Sequence, residues 1–155
     1  MNHSATANEI IEVTQEELSR ASLQKTPQEV LAVFVQPSYD LNPEVIKSSL
    51  CLALDDVQDP GNLGTIIRLA DWFGIEHIFC STGTADVYNP KTVQATMGAL
   101  ARVKVHYCSL PQLIESLADI PVYGTFLSGN IIYAESLSAH GLIVMGNEGK
   151  GVSPE

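Results

Sequence analysis

Two stretches of the sequence place polar side chains directly after apolar runs of strand length. The run 50–54 precedes a loop and a helical segment that carries Asn62 and Arg68, and the run 142–145 precedes Glu148 in a loop with three glycines. The loop after 50–54 contains three aspartates: Asp55, Asp56 and Asp59. An amide, a guanidinium and a carboxylate together can orient a polar substrate, and a glycine-rich loop lets the backbone approach it closely.

A predicted strand-to-helix junction positions the first of these groups. Pro60, Gly61 and Asn62 end the strand segment, and Asn62 is predicted to cap the helix because asparagine accepts hydrogen bonds from free amides at a helix start. The apolar positions that follow at helical spacing are Leu63, Ile66, Ile67, Ala70 and Phe73. Gly74 is predicted to end the helix in the left-handed conformation. In open parallel sheets, ligands bind at such junctions, at the carboxyl edge of the sheet.

Each of these residues also has a purely structural interpretation. Asn62 can be only a cap, Gly64 a small residue that lets the helix pack on the sheet, and Arg68 a solvated side chain. Taken together they spell N-x-G-x-x-x-R. With the flanking D-D-V-Q-D-P and G-N-L-G-T-I-I-R-L-A-D, this stretch resembles the first motif of the SpoU/TrmH family of RNA ribose methyltransferases, within the SPOUT superfamily.

The final stretch, L-I-V-M-G-N-E-G-K-G from Leu142, resembles the second motif of that family, with Glu148 as its acid. The run K-T-V-Q-A-T-M-G-A-L from Lys91 resembles the family's lysine-led helix. A third motif, around S-L-N-V-S, does not occur in these 155 residues. The resemblance therefore covers most of the chain but only part of the family's catalytic domain, and these residues alone are expected to bind the methyl donor weakly or not at all.

The resemblance implies methyl transfer from S-adenosylmethionine to a ribose 2'-hydroxyl in ribosomal or transfer RNA. Arg68 is then the catalytic candidate, either as the base or as the group that orients a phosphate beside the target ribose. The second role suits a group that stays protonated. Asn62 would orient Arg68 or the hydroxyl, and Glu148 would hold its loop or the arginine. The residues expected to bind the donor, mostly through their backbone, are Thr125, Phe126, Leu127, Gly146, Asn147 and Gly149.

The alternation of strands and helices predicts an α/β fold with a mostly parallel sheet flanked by helices. The predicted strands are 9–13, 30–35, 50–54, 77–80, 103–107, 122–127 and 142–145, and the predicted helices are 14–20, 63–73, 91–100 and 113–117. The family resemblance implies a SPOUT-type fold with a trefoil knot, which these residues alone do not complete, and a homodimer. Residues 1–48 are interpreted as a tail, disordered over 1–8, with a remnant of an RNA-recognition domain and its linker. Residues 49–155 are interpreted as the catalytic domain.

Composition limits the other classes of function. The net charge is −10, from 8 Lys and Arg against 18 Asp and Glu, which is the wrong sign for a protein that holds nucleic acid by charge alone. RNA binding then depends on a few converging cations or on another domain. No apolar run reaches membrane-spanning length, so a membrane is not an expected partner. DNA is not an expected partner either, because the family resemblance implies an RNA substrate.

The remaining signals favour a cytoplasmic protein without a metal. Cys51, Cys80 and Cys108 are interpreted as reduced thiols in apolar segments. The four histidines, His3, His77, His106 and His140, are scattered without ligand spacing. A dinucleotide-dependent oxidoreductase is disfavoured because the G-x-G-x-x-G fingerprint is absent. The alternative from another class is a non-catalytic RNA- or nucleotide-binding module that keeps the α/β core without a methyl-donor site.

Overall fold

The computed structural model describes residues 8–154, so most of the predicted tail lies outside the described residues. The described chain forms two compact units that divide between Pro37 and Ser38. The first unit contains the helix α1 (Gln15–Ala21). The Thr14 hydroxyl accepts the Glu17 amide at 3.3 Å, and the Glu17 carboxylate accepts the Thr14 amide at 2.8 Å. This reciprocal capping confirms the predicted helix start. The predicted domain boundary at residues 48 and 49 stays a prediction.

Two strands predicted for the first unit are wrong. Residues 9–13 and 30–35 belong to no strand in the described chain. Val33 and Val35 are 89% and 95% exposed, although both are strong strand formers. A strand needs a neighbour for its amides and carbonyls, and an apolar run does not by itself supply one.

The second unit is built on a five-stranded sheet. Its strands are β1 (Leu50–Leu54), β2 (His77–Cys80), β3 (Lys104–Tyr107), β4 (Val122–Gly124) and β5 (Gly141–Met145). Their order is β3-β2-β1-β5-β4, and each pair of neighbours is parallel. The central strand β1 pairs with β2 on one side and with β5 on the other. The predicted α/β fold with a mostly parallel sheet is confirmed, whereas the knot stays a prediction.

Helices cover both faces of this sheet. On one face lie α2 (Pro60–Trp72) and α3 (Pro90–Thr96), and on the other lie α4 (Leu110–Glu115) and the 3-10 turn Pro43–Lys47. The buried side chains of the first face include Leu52, Leu54, Leu63 and Ile67, and those of the second include Ile46, Cys51, Ala53 and Phe79. Because alternate residues of β1 are buried on opposite faces, the whole strand is apolar. Among residues 8–154, no helix combines the length and the apolar composition that crossing a bilayer requires.

The start of α2 differs from the prediction in a way that matters for function. Asp59 caps the helix in place of Asn62, since Asp59 Oδ1 accepts the Asn62 amide at 2.8 Å. Pro60 occupies the first turn of the helix. Its missing N–H has no energetic cost there, because an N–H at that position would have no partner within the helix. The Asn62 side chain therefore has no capping role. At the other end Gly74 has φ +73°, which confirms the predicted left-handed residue.

Gly64 lies at the closest approach of α2 to α3. A Cβ atom at this position would lie 2.6 Å from both the Thr92 carbonyl oxygen and the Ala95 Cβ. The structural interpretation of Gly64 as a packing residue is therefore right, but its neighbour is α3 and not the sheet.

Other element ends also depart from the predictions. The helix α3 starts after Asn89 as predicted, but it ends at Thr96 because Met97 and Gly98 adopt left-handed backbone. The strand β4 ends at Gly124 and not at residue 127, and β3 begins at Lys104 and not at residue 103. The helix α4 covers Leu110–Glu115, earlier than the predicted 113–117. Such ends depend on local hydrogen bonds that the apolar pattern does not record.

Two of the histidines that are scattered in the sequence meet in the fold. His77 Nδ1 and His106 Nε2 lie 3.1 Å apart across β2 and β3, with nearly parallel rings. Phe79 and Tyr39 also contact the His106 ring. Burial lowers the pKa of both histidines, and the positive charge of Lys104 lowers both further. His77 lowers the pKa of His106 more than Lys104 does.

We predict that the stability of this unit falls on mild acidification. An unfolded histidine has a pKa near 6.5, and both folded pKa values lie below it, so the unfolded state binds more protons as the pH falls. The stability that the neutral pair contributes is complete above pH 6.5 and is lost as the pH drops through and below that value. Urea unfolding from about pH 7.5 to about pH 5.5 measures this loss. The loss should shrink in His77→Gln and persist in the control His140→Gln; an unchanged pH dependence in His77→Gln would contradict the pair as its cause.

Candidate functional site

A cleft of about 350 Å³ opens at the carboxyl ends of β1 and β5. One wall consists of residues 57–59 and Asn62, and the other consists of Asn147, Glu148 and Gly149. From β1 the chain continues through α2 to β2 on one side of the sheet, whereas β5 and β4 lie on the other side. The cleft therefore lies at a topological switch point, which is where open parallel sheets bind ligands.

The second wall is a tight turn at residues 147–151. The amide of Asn147 donates to the Gly151 carbonyl at 2.9 Å, and the amide of Gly151 donates to the Asn147 carbonyl at 2.8 Å. Asn147 Oδ1 also accepts the amides of Gly149 and Lys150, at 2.9 and 3.1 Å. Its Nδ2 donates to the Asp56 carbonyl at 2.8 Å. The Asn147 side chain therefore holds the turn in shape and joins it to the loop after β1.

Gly146 allows the turn to fold back on itself. A Cβ atom there would lie 2.1 Å from the carbonyl carbon of Gly151 and 2.2 Å from the nitrogen of Val152. No side chain fits at that separation, so the second wall requires glycine at this position. The backbone of this loop therefore makes the expected close approach, but it approaches residues 151 and 152 of its own chain.

Asp55 fixes the segment that follows the turn. Its Oδ2 accepts both the amide and the hydroxyl of Ser153, each at 2.7 Å. Asp55 is only 9% exposed, and a carboxylate at such a depth is stable when it accepts hydrogen bonds. Asp55 and Asn147 therefore join the loop after β1 to residues 147–153 at two points. Asp55 is one of the three loop aspartates of the sequence, but no local pattern indicates this contact, because its partner lies 98 positions away.

Asn62 and Glu148 meet across the cleft. Asn62 Nδ2 donates to Glu148 Oε2 at 3.4 Å, and both residues are exposed. The distance is long for such a bond, so the carboxylate remains open to a stronger donor. This contact brings together the two motifs that lie 86 positions apart in the sequence.

Arg68 lies on the exposed side of α2, six residues after Asn62. Six residues correspond to about 9 Å along a helix and to a rotation of about 240°, so the two side chains point in different directions. Within residues 8–154, Arg68 forms no ion pair or hydrogen bond with Asn62, with Glu148 or with any other side chain. The structure brings the predicted amide and carboxylate together and gives the guanidinium no partner among the described residues.

The residues expected to bind the methyl donor flank the same edge of the sheet. Thr125 lies just after β4, and its amide and hydroxyl donate to the Val144 carbonyl at 3.0 and 3.1 Å. The amides of Phe126 and Leu127 donate to no group within residues 8–154, and their side chains are 65% and 111% exposed. Free amides beside apolar side chains suit a flat heteroaromatic group with acceptor nitrogens, so these residues fit an adenosyl group.

Asp59 holds the positively charged Lys91 side chain at the mouth of the cleft. Its Oδ2 accepts Lys91 Nζ at 2.8 Å, and its Oδ1 accepts the Asn62 amide. The hydrogen bond from Lys91, followed by that from the Asn62 amide, holds the pKa of Asp59 below its ordinary value. No local sequence pattern indicates this pair, because its members lie 32 positions apart.

Known proteins resemble this chain both in sequence and in fold. A family model described as the SpoU rRNA methylase family matches residues 49–155. A protein of Bacillus subtilis (strain 168), named 23S rRNA (guanosine(2553)-2'-O)-methyltransferase RlmP, is 34% identical over 143 residues. That match covers 90% of this chain and 56% of the relative. The chain thus spans little more than half the length of this relative.

Two solved structures resemble this one closely. A TrmH-family protein from Porphyromonas gingivalis has a TM-score of 0.76 at 42% identity, over 94% of this chain and 60% of that one. An AdoMet-bound rRNA methyltransferase from Sinorhizobium meliloti has a TM-score of 0.78 at 31% identity, over 90% of this chain and 56% of that one.

We predict that Asp55→Ala loosens the second wall of the cleft. The substitution removes two hydrogen bonds to a carboxylate, each of which contributes about 1.5–3 kcal/mol to stability in such settings. Urea unfolding should show a loss of that order, and hydrogen exchange should show faster exchange of the Ser153 amide. The control is Asp119→Ala, which removes an exposed aspartate. Equal stability of the two variants would show that Asp55 does not hold this segment.

Proposed function

Because the chain belongs to the SpoU rRNA methylase family, we propose that the protein methylates the 2'-hydroxyl of a ribose in ribosomal or transfer RNA, with S-adenosylmethionine as methyl donor. The single observation that carries the proposal is the pairing of Asn62 with Glu148 across a cleft at the carboxyl ends of β1 and β5. The names of the B. subtilis and S. meliloti proteins, which specify rRNA methyltransferases, support the same reaction class.

The methyl donor would lie against the backbone at the ends of β4 and β5. S-adenosylmethionine supplies an electrophilic methyl group on a sulfonium centre. The free amides of Phe126 and Leu127 would recognise its adenine, and their exposed side chains would cover the ring. Thr125 would hold this segment against Val144, while Gly146, Asn147 and Gly149 shape the facing turn. These assignments need no side-chain charge near the donor.

The target hydroxyl would bind between Asn62 and Glu148. A ribose hydroxyl is a weak nucleophile, so the site must orient it or remove its proton. With its Nδ2 held by Glu148, Asn62 presents its amide oxygen to an incoming hydroxyl. Glu148 thereby orients Asn62, and its carboxylate stays close enough to accept a donor from the substrate.

Arg68 would act on the RNA from the outer side of α2. Without a partner in the described chain, its planar fork of donors is available to a phosphate. A guanidinium normally keeps its proton, so orienting that phosphate demands less of Arg68 than removing a proton. We assign Arg68 a catalytic role in either form.

The proposed setting is a cytoplasmic homodimer that acts on RNA. Three cysteines are free thiols, which fits a reducing compartment. Near the carboxyl end of α2, Leu69, Trp72 and Phe73 are 51%, 84% and 74% exposed. Contiguous exposed apolar surface of this kind usually contacts a partner. A second copy of the chain is the partner we propose.

We predict that Arg68→Ala lowers methyl transfer by about a hundredfold or more, the range for lost orientation or proton transfer, with little change in donor affinity. The assay uses the protein encoded by the gene that contains these residues, with labelled S-adenosylmethionine and ribosomal RNA. Arg68→Lys keeps the charge but loses the fork, so partial activity would favour the orienting role. Lys47→Ala, which removes a distant positive charge, is the control. Normal turnover in Arg68→Ala would mean that this arginine is only a solvated side chain.

We also predict that the same protein is a dimer in light scattering and that Trp72→Glu shifts it to monomer. A carboxylate at the centre of an apolar contact is costly to bury. Leu23→Glu is a matched control, because Leu23 is 83% exposed and lies in the first unit. A monomeric wild-type protein would contradict the proposed dimer.

A further inference from the structure

Positive charge is scarce in the second unit, and part of it borders the cleft. Residues 38–154 contain six lysines and arginines: Lys47, Arg68, Lys91, Arg102, Lys104 and Lys150. In a chain of net charge −10, electrostatic contacts with RNA depend on the places where these cations converge. Their positions therefore limit where an RNA strand can lie.

Lys91 and Lys150 flank the cleft on opposite walls. Lys91 reaches the loop after β1, where its Nζ lies 2.8 Å from Asp59 Oδ2, and Asp59 lines the cleft. Lys150 belongs to the facing turn, directly after Gly149, and its Nζ lies 3.7 Å from Asp56 Oδ2. The side chains of the two lysines are 61% and 76% exposed.

Three other cations of this unit lie away from the cleft. Lys47 pairs with Glu44 inside its own 3-10 turn at 2.6 Å. Arg102 forms two hydrogen bonds of 2.7 Å with Asp71, and Lys104 lies beside the histidine pair. Arg68 lies on the exposed side of α2, outside the lining of the cleft, so Lys91 and Lys150 are the two cations of the described chain that contact the loops around the cleft.

We propose that Lys91 and Lys150 are positioning residues that bind two phosphates of the RNA strand, one on each side of the nucleotide in the cleft. This inference rests on the proposed function and specifies how the substrate is held. A strand that places one ribose between Asn62 and Glu148 must pass both walls, and each wall presents one lysine. The phosphates fix the register of the strand and carry no sequence information.

The aspartates keep the two ammonium groups in place before RNA binds. Exposed ion pairs contribute little to stability, so a phosphate oxygen can replace the carboxylate as partner at small cost. Asp59 remains the cap of α2 and Asp56 remains bonded to Gln58 after this exchange. The acidic loop D-D-V-Q-D therefore orders the cations without binding the RNA itself.

The test measures how binding of a fluorescently labelled single-stranded RNA of mixed sequence depends on salt. It uses the protein encoded by the gene that contains these residues. Each phosphate contact contributes about 0.7 to the slope of log Kd against log salt for single strands, so Lys91→Gln and Lys150→Gln should each lower the slope by about that amount. In the double variant the slope should fall by the sum of the two decreases. Glutamine keeps an amide donor for the aspartate, and thermal unfolding verifies that both variants fold.

Conservative variants and a distant lysine separate this role from a structural one. Lys91→Arg and Lys150→Arg should keep the slope, because arginine also binds phosphate. Lys47→Gln removes one charge away from the cleft and should leave the slope unchanged. If Lys91→Gln and Lys150→Gln keep the wild-type slope, or if Lys47→Gln lowers it equally, the inference is overturned.

A parallel methyl-transfer assay distinguishes this inference from the proposed function. Methyl transfer with an RNA KM that does not rise in the two glutamine variants would overturn the lysine roles and leave the function standing. Lysine-dependent RNA binding by a wild-type protein that transfers no methyl group would contradict the proposed function and support the contacts. A wild-type protein that does not bind RNA would overturn both.

Discussion

The pairing of β1 with β5 is the constraint on which the rest of the structure depends. Five residue pairs align these parallel strands, from Leu50 opposite Gly141 to Leu54 opposite Met145. Because parallel strands end at the same edge, the loops that leave them must start side by side. The first loop leads to Asn62 and the second leads to Glu148, so their contact across the cleft follows from this register. A shift of one residue would turn every side chain of β5 to the opposite face.

Hydrogen bonds from the acidic loop then set the width of the cleft. Asp55 binds Ser153, the Asp56 carbonyl accepts the Asn147 amide group, and Asp59 caps α2. Each aspartate therefore has a partner within the chain, and two of them also contact a lysine. This arrangement reconciles the strong negative charge of the chain with a family that acts on RNA. The acids around the site hold cations and backbone amides in fixed positions.

Several elements were predictable because one local signal sufficed for each. The apolar run 50–54 indicates a strand buried on both faces, and Asn89 followed by Pro90 indicates the start of α3. The run 30–35 has the composition of a strand but pairs with no strand in the part of the chain that the structure describes. The sequence predicts Asn62 as the cap of α2, although Asp59 fills that role. Asparagine and aspartate side chains accept hydrogen bonds from the free amides of a helix start about equally well. Local preference cannot choose between two good caps three residues apart; the hydrogen bonds that form decide.

By itself the sequence determined the α/β fold class, the two motifs and, through them, the family. These follow from residue types and short spacings, which remain the same in any conformation of the chain. Only the tertiary structure decided which motif residues touch: Asn62 meets Glu148, Arg68 contacts neither, and Asp55 binds Ser153. It also decided that His77 meets His106 and that Lys91 and Lys150 face the same cleft. Contacts between residues separated by tens of positions depend on the order and register of strands, and hydrophobic periodicity carries no information about either.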